Sequence, residues 1–397
     1  MNLIYKLDDV AEKKFFCEMI TYISECIEEY KVAEDYTTVE LKFNEEYENE
    51  VVIKLNNLKD MANKQLVGEQ KKLDIKTLED YTANEPIQRE NVFPQLIEKG
   101  SIYSLADGSY AYGDIFLKVY TYFEKKIDEF GYEHFDSWNI EEQRMPVLYS
   151  LKGYEEGGYF ETFPHHIMFE SVLKNDLDVI DQFSKNGLKE ENEIQQVSFP
   201  DNVLRTATCA PVYKFLQNQV IPSDSVRCFL VSGRCFRNEG SNVKTLQRLK
   251  EFYMKEYVFV GDQDRIDNGI EEAKGLWRYW IDVFGLKAKI DTANDSFFAN
   301  NYKKLKLFQL LGQSKQEYKI YIPCEEDYIS CGSANFHRTH FSKRYRIYDG
   351  DESKLANSGC FAFGVDRLAY ALLSQKGIDS SKWDESTRNE ISKYVNI

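Results

Sequence analysis

The sequence predicts an α+β fold, in which antiparallel strands are accompanied by long amphipathic helices. Val226–Phe236 and Phe252–Val260 alternate apolar and polar residues on either side of a turn-forming segment at Asn238–Asn242, which indicates an antiparallel hairpin. Asp114–Phe130 and Ile266–Phe284 have the apolar periodicity of helices that bury one face. A chain of 397 residues is long enough to enclose a large core between such elements.

Composition limits the classes of protein that fit. Hydrophobic residues make up 43% and aromatic residues 14% of the chain, as in folded proteins. The net charge of −16 argues against a broad nucleic-acid-binding surface, which is normally basic. Met1–Asp8 lacks the apolar core of a signal peptide, no apolar run reaches the length of a membrane span, and the eight cysteines suit a reducing compartment. We therefore expect a cytoplasmic protein with no membrane partner.

The N-terminal region is acidic, and we predict that residues 1–90 form a small α/β extension of unknown role, distinct from residues 91–397. Its polar end, Thr82–Glu90, contains Pro86 and is typical of a linker. The elements predicted before it are a helix at Val10–Tyr30, a hairpin of strands Thr38–Phe43 and Val51–Leu55, and a second helix at Leu58–Lys72.

Further elements follow the Asp114–Phe130 helix. Arg144–Tyr149 is predicted to be a strand, and its Pro146 favours a position at a sheet edge. After the hairpin come strands at Lys315–Pro323 and Ser330–His340, and a terminal helix at Lys382–Tyr394.

Polar residues at the mouth of the hairpin are candidates for binding a nucleotide. Arg237 and Arg248 can hold phosphate oxygens through forked hydrogen bonds. Phe252 can stack on a base, and Glu239 can accept a hydrogen bond from an exocyclic amine. Spacing alone favours the alternative interpretation, a solvated hairpin with surface ion pairs.

The complete pattern resembles the signature motifs of class II aminoacyl-tRNA synthetases. Phe236-Arg237-x-Glu239, followed by Arg248-x-x-x-Phe252-x-x-x-Glu256, is similar to their second motif. The run from Gly359 to Leu373, with Asp366 and Arg367, is similar to their third motif. The resemblance implies the class II catalytic fold, an antiparallel sheet flanked by helices. The helix and Pro146 strand that precede the hairpin resemble the first motif, the dimer-interface element, which implies a homodimer.

A metal site is not evident from the residues alone. The chain has no CxxC pair and no HExxH run, and Cys209, Glu256 and Cys360 taken singly suggest two small buried side chains and a surface carboxylate. Their surroundings nevertheless resemble the zinc ligands of atypical archaeal seryl-tRNA synthetases and of the bacterial amino acid:[carrier protein] ligases. Further stretches similar to the ligases are Tyr159–Pro164, Cys209–Tyr213, Ala293–Phe298, Lys315–Glu317 and Ser333–His337.

The resemblance, which covers roughly residues 91–377, implies a function. The enzyme would use ATP to activate a small amino acid as an aminoacyl adenylate, then transfer it to the phosphopantetheine thiol of a carrier protein. It would need Zn²⁺ to hold the substrate's α-amino group, and Mg²⁺, with Glu326 or Asp327 as candidate ligands. The implied roles are Arg237 on the α-phosphate and substrate carboxylate, Arg248 and Arg367 on the γ-phosphate, Glu239 and Phe252 on adenine, and Asn335 in the substrate pocket.

Three alternatives remain open at this point: a seryl-like synthetase that charges tRNA, a non-catalytic regulatory paralogue, and a purely structural protein. The acidic charge and the short extension disfavour tRNA. A paralogue without activity is expected to lose a motif arginine, and all three are present. The basic segment Tyr302–Lys319 is a candidate docking patch for a carrier protein; its lysines are Lys303, Lys304, Lys306, Lys315 and Lys319.

Overall fold

The structure, a computed structural model, describes residues 1–64, 75–187, 197–293 and 315–397. The helices of these residues are α1 (Lys13–Met19), α2 (Glu48–Lys64), α3 (Val92–Glu98), α4 (Asp114–His134), α5 (Leu151–Glu156), α6 (Tyr159–Thr162), α7 (Leu177–Asn186), α8 (Ala210–Phe215), α9 (Gln263–Phe284), α10 (His340–Tyr345), α11 (Val365–Lys376) and α12 (Glu385–Ser392). The strands are β1 (Asn2–Lys6), β2 (Ile27–Val32), β3 (Thr38–Phe43), β4 (Thr77–Tyr81), β5 (Ile102–Ala106), β6 (Ser109–Tyr112), β7 (Glu141–Gln143), β8 (Leu148–Ser150), β9 (Met168–Glu170), β10 (Asn202–Leu204), β11 (Val220–Ile221), β12 (Val226–Phe236), β13 (Glu251–Gly261), β14 (Ala288–Thr292), β15 (Lys315–Ile322), β16 (Asp327–Arg338), β17 (Tyr348–Asp349), β18 (Asp351–Leu355) and β19 (Asn357–Gly364).

A sheet of eight strands within the described residues organises the molecule, in the order β4-β14-β15-β16-β19-β13-β12-β7. Neighbouring strands run antiparallel except for the edge pair β12 and β7. The predicted hairpin is confirmed: β12 and β13 pair over their full length, with Cys235 opposite Phe252 and Val231 opposite Glu256. The predicted α+β class, an antiparallel sheet flanked by helices, is confirmed as well.

The long helices cover one face of this sheet, and the opposite face, which carries the predicted metal ligands, packs against the short helices α8 and α10. Phe361 and Phe363 of β19 belong to the main core with α4, α9 and α11, whereas Cys360 packs in a smaller cluster on the opposite face. Gly359 allows α9 to pack close against β19, because a Cβ at this position would lie only 2.9 Å from Ile266 Cγ2. The core face and the site face of β19 therefore alternate residue by residue.

Residues 1–64, here called the N-terminal unit, have an apolar core of their own. The strand order is β1-β3-β2, and α1 and α2 pack with this small sheet. The prediction of a strand at Val51–Leu55 is wrong, since these residues lie in α2. Val51, Leu55, Leu58 and Ala62 are all buried at helical spacing, and this period is visible only over a window longer than the five residues.

The predicted helix at Val10–Tyr30 is only partly confirmed. Its first half contains α1, but Ile27–Val32 form β2, where the alternation of apolar and charged residues suits a strand. Pro146 lies between β7 and β8 and not within a strand, so of the predicted strand at Arg144–Tyr149 only Leu148 and Tyr149 are in a strand. The prediction of a helix at Leu58–Lys72 holds as far as Lys64, and its remainder lies outside the described residues.

Strand β4 joins the N-terminal region to the main sheet. It pairs with β14 at the sheet edge, and Glu79 binds Arg278 of α9 through both carboxylate oxygens, at 2.5 and 3.1 Å. Thr82–Glu90 contains no helix or strand, as expected of a linker. The division of the chain at residue 90 stays a prediction.

Candidate active site

Strand register places the predicted site residues on one face of the sheet. Asn335 of β16 lies opposite Cys360 of β19, which lies opposite Val258 of β13. Since residues two apart along a strand share a face, Glu256 lies on the same face as Val258 and Cys360. Phe252, four residues before Glu256, shares that face too.

Cys209, Glu256 and Cys360, here called the thiol cluster, come together from three distant segments. All three are buried, and their ligand atoms lie within 4.8 Å of one another. Glu256 is held by Thr208 and Cys209 just before α8. Its Oε1 accepts hydrogen bonds from Thr208 N at 3.0 Å, Thr208 Oγ1 at 2.5 Å and Cys209 N at 3.1 Å. The carboxylate is therefore fixed before any ligand arrives.

The donor set of the thiol cluster fits zinc. Two sulfur atoms and a carboxylate are ligands that Zn²⁺ prefers, and three protein ligands leave one position open, as in catalytic zinc sites. The hydrogen bond with Cys360, followed by burial, raises the pKa of Cys209 well above its ordinary value. The pKa of Cys360 is raised as well: its hydrogen bond with Cys209 lowers it, but burial and Glu256 raise it by more. Without a cation the thiols thus keep their protons, and metal binding must displace them.

Side chains around Cys360 extend the site beyond the predicted ligands. Asn335 Nδ2 lies 3.7 Å and His337 Nε2 lies 4.0 Å from Cys360 Sγ. Tyr213 Oη lies 3.1 Å from His337 Nδ1, so the tyrosine can fix the ring of the histidine. Asn335 was predicted, whereas His337 and Tyr213 were not. Both residues lie in stretches that resemble the ligases, Ser333–His337 and Cys209–Tyr213, and this resemblance could have indicated them.

Arg237, Arg248 and Arg367, here called the arginine cluster, form a positively charged counterpart. Arg237 Nε donates to the Thr206 carbonyl at 3.2 Å, and its guanidinium lies 5.1 Å from the centre of the Phe252 ring. Arg248 lies 3.6 Å from the buried carboxylate of Glu239. The cluster therefore combines three guanidinium groups with one carboxylate.

Arg367 is the most enclosed member of the arginine cluster. Its Nη1 donates to the Ser330 carbonyl at 2.9 Å. Burial lowers the pKa of Arg367, and the positive charges of Arg248 and Arg237 lower it further. An arginine remains protonated in proteins, so Arg367 carries its positive charge in a poorly solvated place beside two other arginines. Three positive charges close together suit a polyanion such as a triphosphate.

Arg205 is a buried arginine that sequence reasoning missed. Its guanidinium donates to the carbonyl oxygens of Met145 at 2.9 Å, Arg234 at 2.9 Å and Ser232 at 3.3 Å. It lies against Gly233, where φ is +139° and a Cβ would lie 2.0 Å from Arg205 Nη2. Arg205 thereby connects β12 to the segment that precedes Cys209. Gly233, a glycine within a predicted strand, was the available signal.

The structure leaves some sequence predictions undecided. Asp327 begins β16 and Glu326 precedes it with φ +52°, lining a surface cavity beside Glu85 and Arg89. Among the described residues, neither carboxylate forms a hydrogen bond with the arginine cluster. Their role as Mg²⁺ ligands stays a prediction. In the Ala293–Phe298 stretch, residues 294–298 lie outside the described residues, as do Lys303, Lys304 and Lys306 of the basic docking segment.

No helix in the described part of the chain combines the length and apolarity needed to cross a bilayer. All eight cysteines fall in that part, and each is a free thiol.

Comparison with known proteins identifies relatives over most of the chain. Residues 196–376 match the family described as tRNA synthetase class II core domain (G, H, P, S and T). Amino acid--[acyl-carrier-protein] ligase 1 of Bradyrhizobium diazoefficiens is 32% identical over 251 residues, which are 62% of this chain and 74% of the relative. Ligase 2 of the same organism is 30% identical and is also covered to 74% of its length.

A second group of relatives consists of serine--tRNA ligases. The type-2 serine--tRNA ligase of Methanococcus aeolicus is 25% identical over 301 residues, 73% of this chain and 57% of the relative. A solved structure of M. kandleri SerRS in complex with A. aeolicus tRNASec matches with a TM-score of 0.70 and 19% identity, covering 99% of this chain and 77% of that one. At this identity the structural match shows the fold, which is that of the class II synthetases.

Proposed function

The chain belongs to the family of amino acid--[acyl-carrier-protein] ligases, and from that premise we propose that it activates a small amino acid with ATP and transfers it to the phosphopantetheine thiol of a carrier protein. The observation that carries the proposal is that the thiol cluster and the arginine cluster adjoin: Glu256 and Phe252 share one face of β13, and Phe252 contacts Arg237. One cluster suits the amino end of an amino acid, and the other suits the triphosphate that must react with its carboxylate end.

The first half-reaction forms an aminoacyl adenylate. A carboxylate oxygen of the amino acid attacks the α-phosphorus of ATP, and the bond from that phosphorus to the β-bridging oxygen breaks to release pyrophosphate. Arg237 would bind the α-phosphate and the substrate carboxylate, while Arg248 and Arg367 would bind the γ-phosphate. Glu239 and Phe252 would hold adenine. This chemistry needs positioning and charge neutralisation rather than a protein nucleophile.

The amino end of the substrate would be held beside the thiol cluster. Cys209, Glu256 and Cys360 would bind Zn²⁺, and Asn335 would lie at the wall of the amino acid pocket. When bound, zinc supplies an open coordination position for a neutral α-amino group. Thr208 keeps the Glu256 carboxylate in place, and burial excludes water from the three side chains. Acids without an amino group would therefore be rejected.

The second half-reaction transfers the aminoacyl group to sulfur. The carrier's thiol releases its proton to solvent and attacks the carbonyl carbon of the adenylate, and the bond from that carbon to the phosphate oxygen breaks. AMP leaves, and a thioester remains on the carrier. Arg237, still in contact with the α-phosphate, would stabilise AMP as the leaving group. We also propose that the enzyme works as a homodimer in the cytoplasm.

An acceptor competition tests the proposal. A screen for pyrophosphate exchange across the common amino acids, with and without a chelator, first identifies the substrate. The enzyme then receives that labelled amino acid, ATP, Mg²⁺, a phosphopantetheinylated carrier protein and bulk tRNA together. We expect ribonuclease-resistant label on the carrier and none on a carrier that lacks the arm. Ribonuclease-sensitive label with an empty carrier would show that tRNA is the acceptor.

Charging of tRNA is the second candidate function. The fold match to M. kandleri SerRS over 99% of this chain favours it, because the match extends into the N-terminal region. The higher identity to the ligases and the net charge of −16 favour the carrier protein. Binding a polyanionic tRNA would require many lysine and arginine contacts, which an acidic chain is poorly suited to make.

A further inference from the structure

The N-terminal unit touches the catalytic hairpin at the loop Asn238–Asn242. This loop directly follows Arg237 and contains Glu239, so it belongs to the proposed ATP site. Among the described residues, four hydrogen bonds to a backbone or amide group of the loop join the two parts of the chain. They are Tyr22 Oη to the Asn238 carbonyl at 2.8 Å, Ser241 N to Thr21 Oγ1 at 2.7 Å, Tyr30 Oη to Asn242 Oδ1 at 2.9 Å, and Asn242 Nδ2 to the Glu18 carbonyl at 3.1 Å.

The loop is shaped to receive the N-terminal unit. Gly240 has φ +54°, and a Cβ there would lie 2.4 Å from Thr21 Oγ1. A side chain at this position would strain the backbone and displace the side chain of Thr21, so glycine favours both the conformation and the close approach. Thr21 Oγ1 also lies 2.7 Å from Ser241 Oγ, so the threonine contacts both the backbone and the side chain of the loop.

The opposite side of the loop is fixed by the catalytic part. Asn238 N donates to the His166 carbonyl at 3.0 Å, and the ring of Tyr22 packs edge-on against His165 at 5.3 Å between centroids. Burial, followed by the negative charge of Glu239, raises the pKa of Tyr22. Tyr22 is thus a neutral hydrogen-bond donor beside Glu239, and the loop is held from both sides.

We propose that the N-terminal unit is a positioning element of the ATP site: Thr21, Tyr22 and Tyr30 hold the Asn238–Asn242 loop so that Glu239 is preorganised to bind adenine. The inference rests on the proposed function, because it assigns adenine to Glu239. A loop between two strands otherwise loses conformational entropy when ATP binds, and contacts that order it beforehand reduce that loss. This gives the acidic extension a role in nucleotide binding that involves no nucleic acid.

The test removes the hydroxyl groups and keeps the volumes, in the full-length triple variant Thr21→Val/Tyr22→Phe/Tyr30→Phe. We expect amide hydrogen exchange in the loop to become about tenfold faster, since ordered contacts set local opening. The KM for ATP in pyrophosphate exchange should rise about fivefold while kcat changes less than about twofold, because ground-state positioning is lost and the chemistry is not. Tyr5→Phe, which removes a hydroxyl bonded to Asn56 within the same unit, is the matched control and should change neither quantity.

Slow exchange in β3 of the triple variant would show that the N-terminal unit is still folded, and fast exchange there would direct the test to the Tyr22→Phe single variant. Unchanged exchange in the loop would overturn the proposal. Faster exchange in the loop with an unchanged KM for ATP would also overturn it, while leaving the proposed function intact. A wild-type chain that shows no ATP-dependent exchange and no ATP-induced protection of the loop would refute the proposed function, and the inference with it.

Discussion

The thiol cluster and the arginine cluster adjoin but are built by different means. The thiol cluster is buried, and its carboxylate is fixed by three hydrogen bonds. The arginine cluster is partly open, with the Arg248 side chain 40% exposed, and its members bond to backbone carbonyls and one carboxylate. The first holds its protons until a cation displaces them, and the second keeps its positive charge at all times.

This difference separates what each cluster contributes. Binding at the thiol cluster must release protons, so it depends on the chemistry of the donor atoms. Binding at the arginine cluster relieves repulsion among like charges, so it depends on the charge of the ligand. Substitutions in the two clusters should therefore abolish the same overall reaction while leaving different partial functions behind.

The largest expected effect comes from removing a sulfur ligand. Cys209→Ser and Cys360→Ser should each reduce bound zinc from about one per chain to none, because a serine hydroxyl is a poor zinc ligand. Amino-acid-dependent pyrophosphate exchange should fall by about a thousandfold or more. Elemental analysis and exchange kinetics measure both quantities. Cys324→Ser, at a cysteine outside the cluster, should behave as wild type. Active wild-type enzyme without metal would contradict this site.

Arginine substitutions should have the next largest effect and leave the metal in place. Arg237→Ala and Arg367→Ala each remove a charge-assisted phosphate contact, so kcat/KM for pyrophosphate exchange should fall by about 10²–10³-fold. Zinc content should stay at the wild-type level, which would establish that the two clusters act separately. Arg144→Ala, at a side chain that is 86% exposed, is the control. Full activity in either variant would remove that arginine from the assignment.

The ion pair between Glu79 of β4 and Arg278 of α9 lies outside both clusters, and its removal should have the smallest effect. Burial raises the pKa of Glu79, but hydrogen bonds from Arg278 and Tyr81 lower it to about 2 overall. A carboxyl whose pKa is lower in the folded state stabilises the fold above its unfolded pKa. This contribution is lost as the pH falls from about 4.5 to 2. Glu79→Gln should therefore cost about 1–3 kcal/mol of unfolding free energy at pH 7.

Urea unfolding of wild type and Glu79→Gln across that pH range measures the contribution. The gap between the two proteins should narrow toward pH 2, where Glu79 is protonated in the unfolded wild type and about half protonated in the folded wild type. Zinc content and pyrophosphate exchange at neutral pH should not change, because Glu79 links the edge strand β4 to Arg278 of α9 and not to a residue of either cluster. A gap that stays constant with pH would show that the ion pair does not carry this stability.

Sequence patterns predicted the catalytic part of the fold better than the N-terminal unit. The strands β12 and β13 and the helix α9 are long, so the spacing of their apolar residues repeats often enough to identify each as a strand or a helix. Val51–Leu55 is too short to separate a strand from a helix, and the helical period appears only when Leu58 and Ala62 are included. The strand Ile27–Val32 is also short, and most of it was wrongly included in the helix predicted at Val10–Tyr30.

The candidate site could be predicted only where a motif carried it. Cys209, Glu256 and Cys360 are far apart in the chain, and no local spacing indicates that they meet; only the resemblance to known families grouped them. Thr208 and His337 were missed because their contacts depend on tertiary approach and strand register. The roles of Cys209 and Cys360 as metal ligands stay predictions until the variants above are measured.

Strand register also determines where the chain can change its length. Phe252 and Glu256 lie four residues apart on β13 and share a face, and Cys360 faces the same way on β19. One residue inserted between Phe252 and Glu256 would turn one of these side chains to the opposite face of the sheet, which packs against α4, α9 and α11. An insertion between Asn242 and Arg248 would leave both strands in register. Insertions and deletions among homologues should therefore gather in the turns, while β13 and β19, which carry Glu256 and Cys360, keep a constant length.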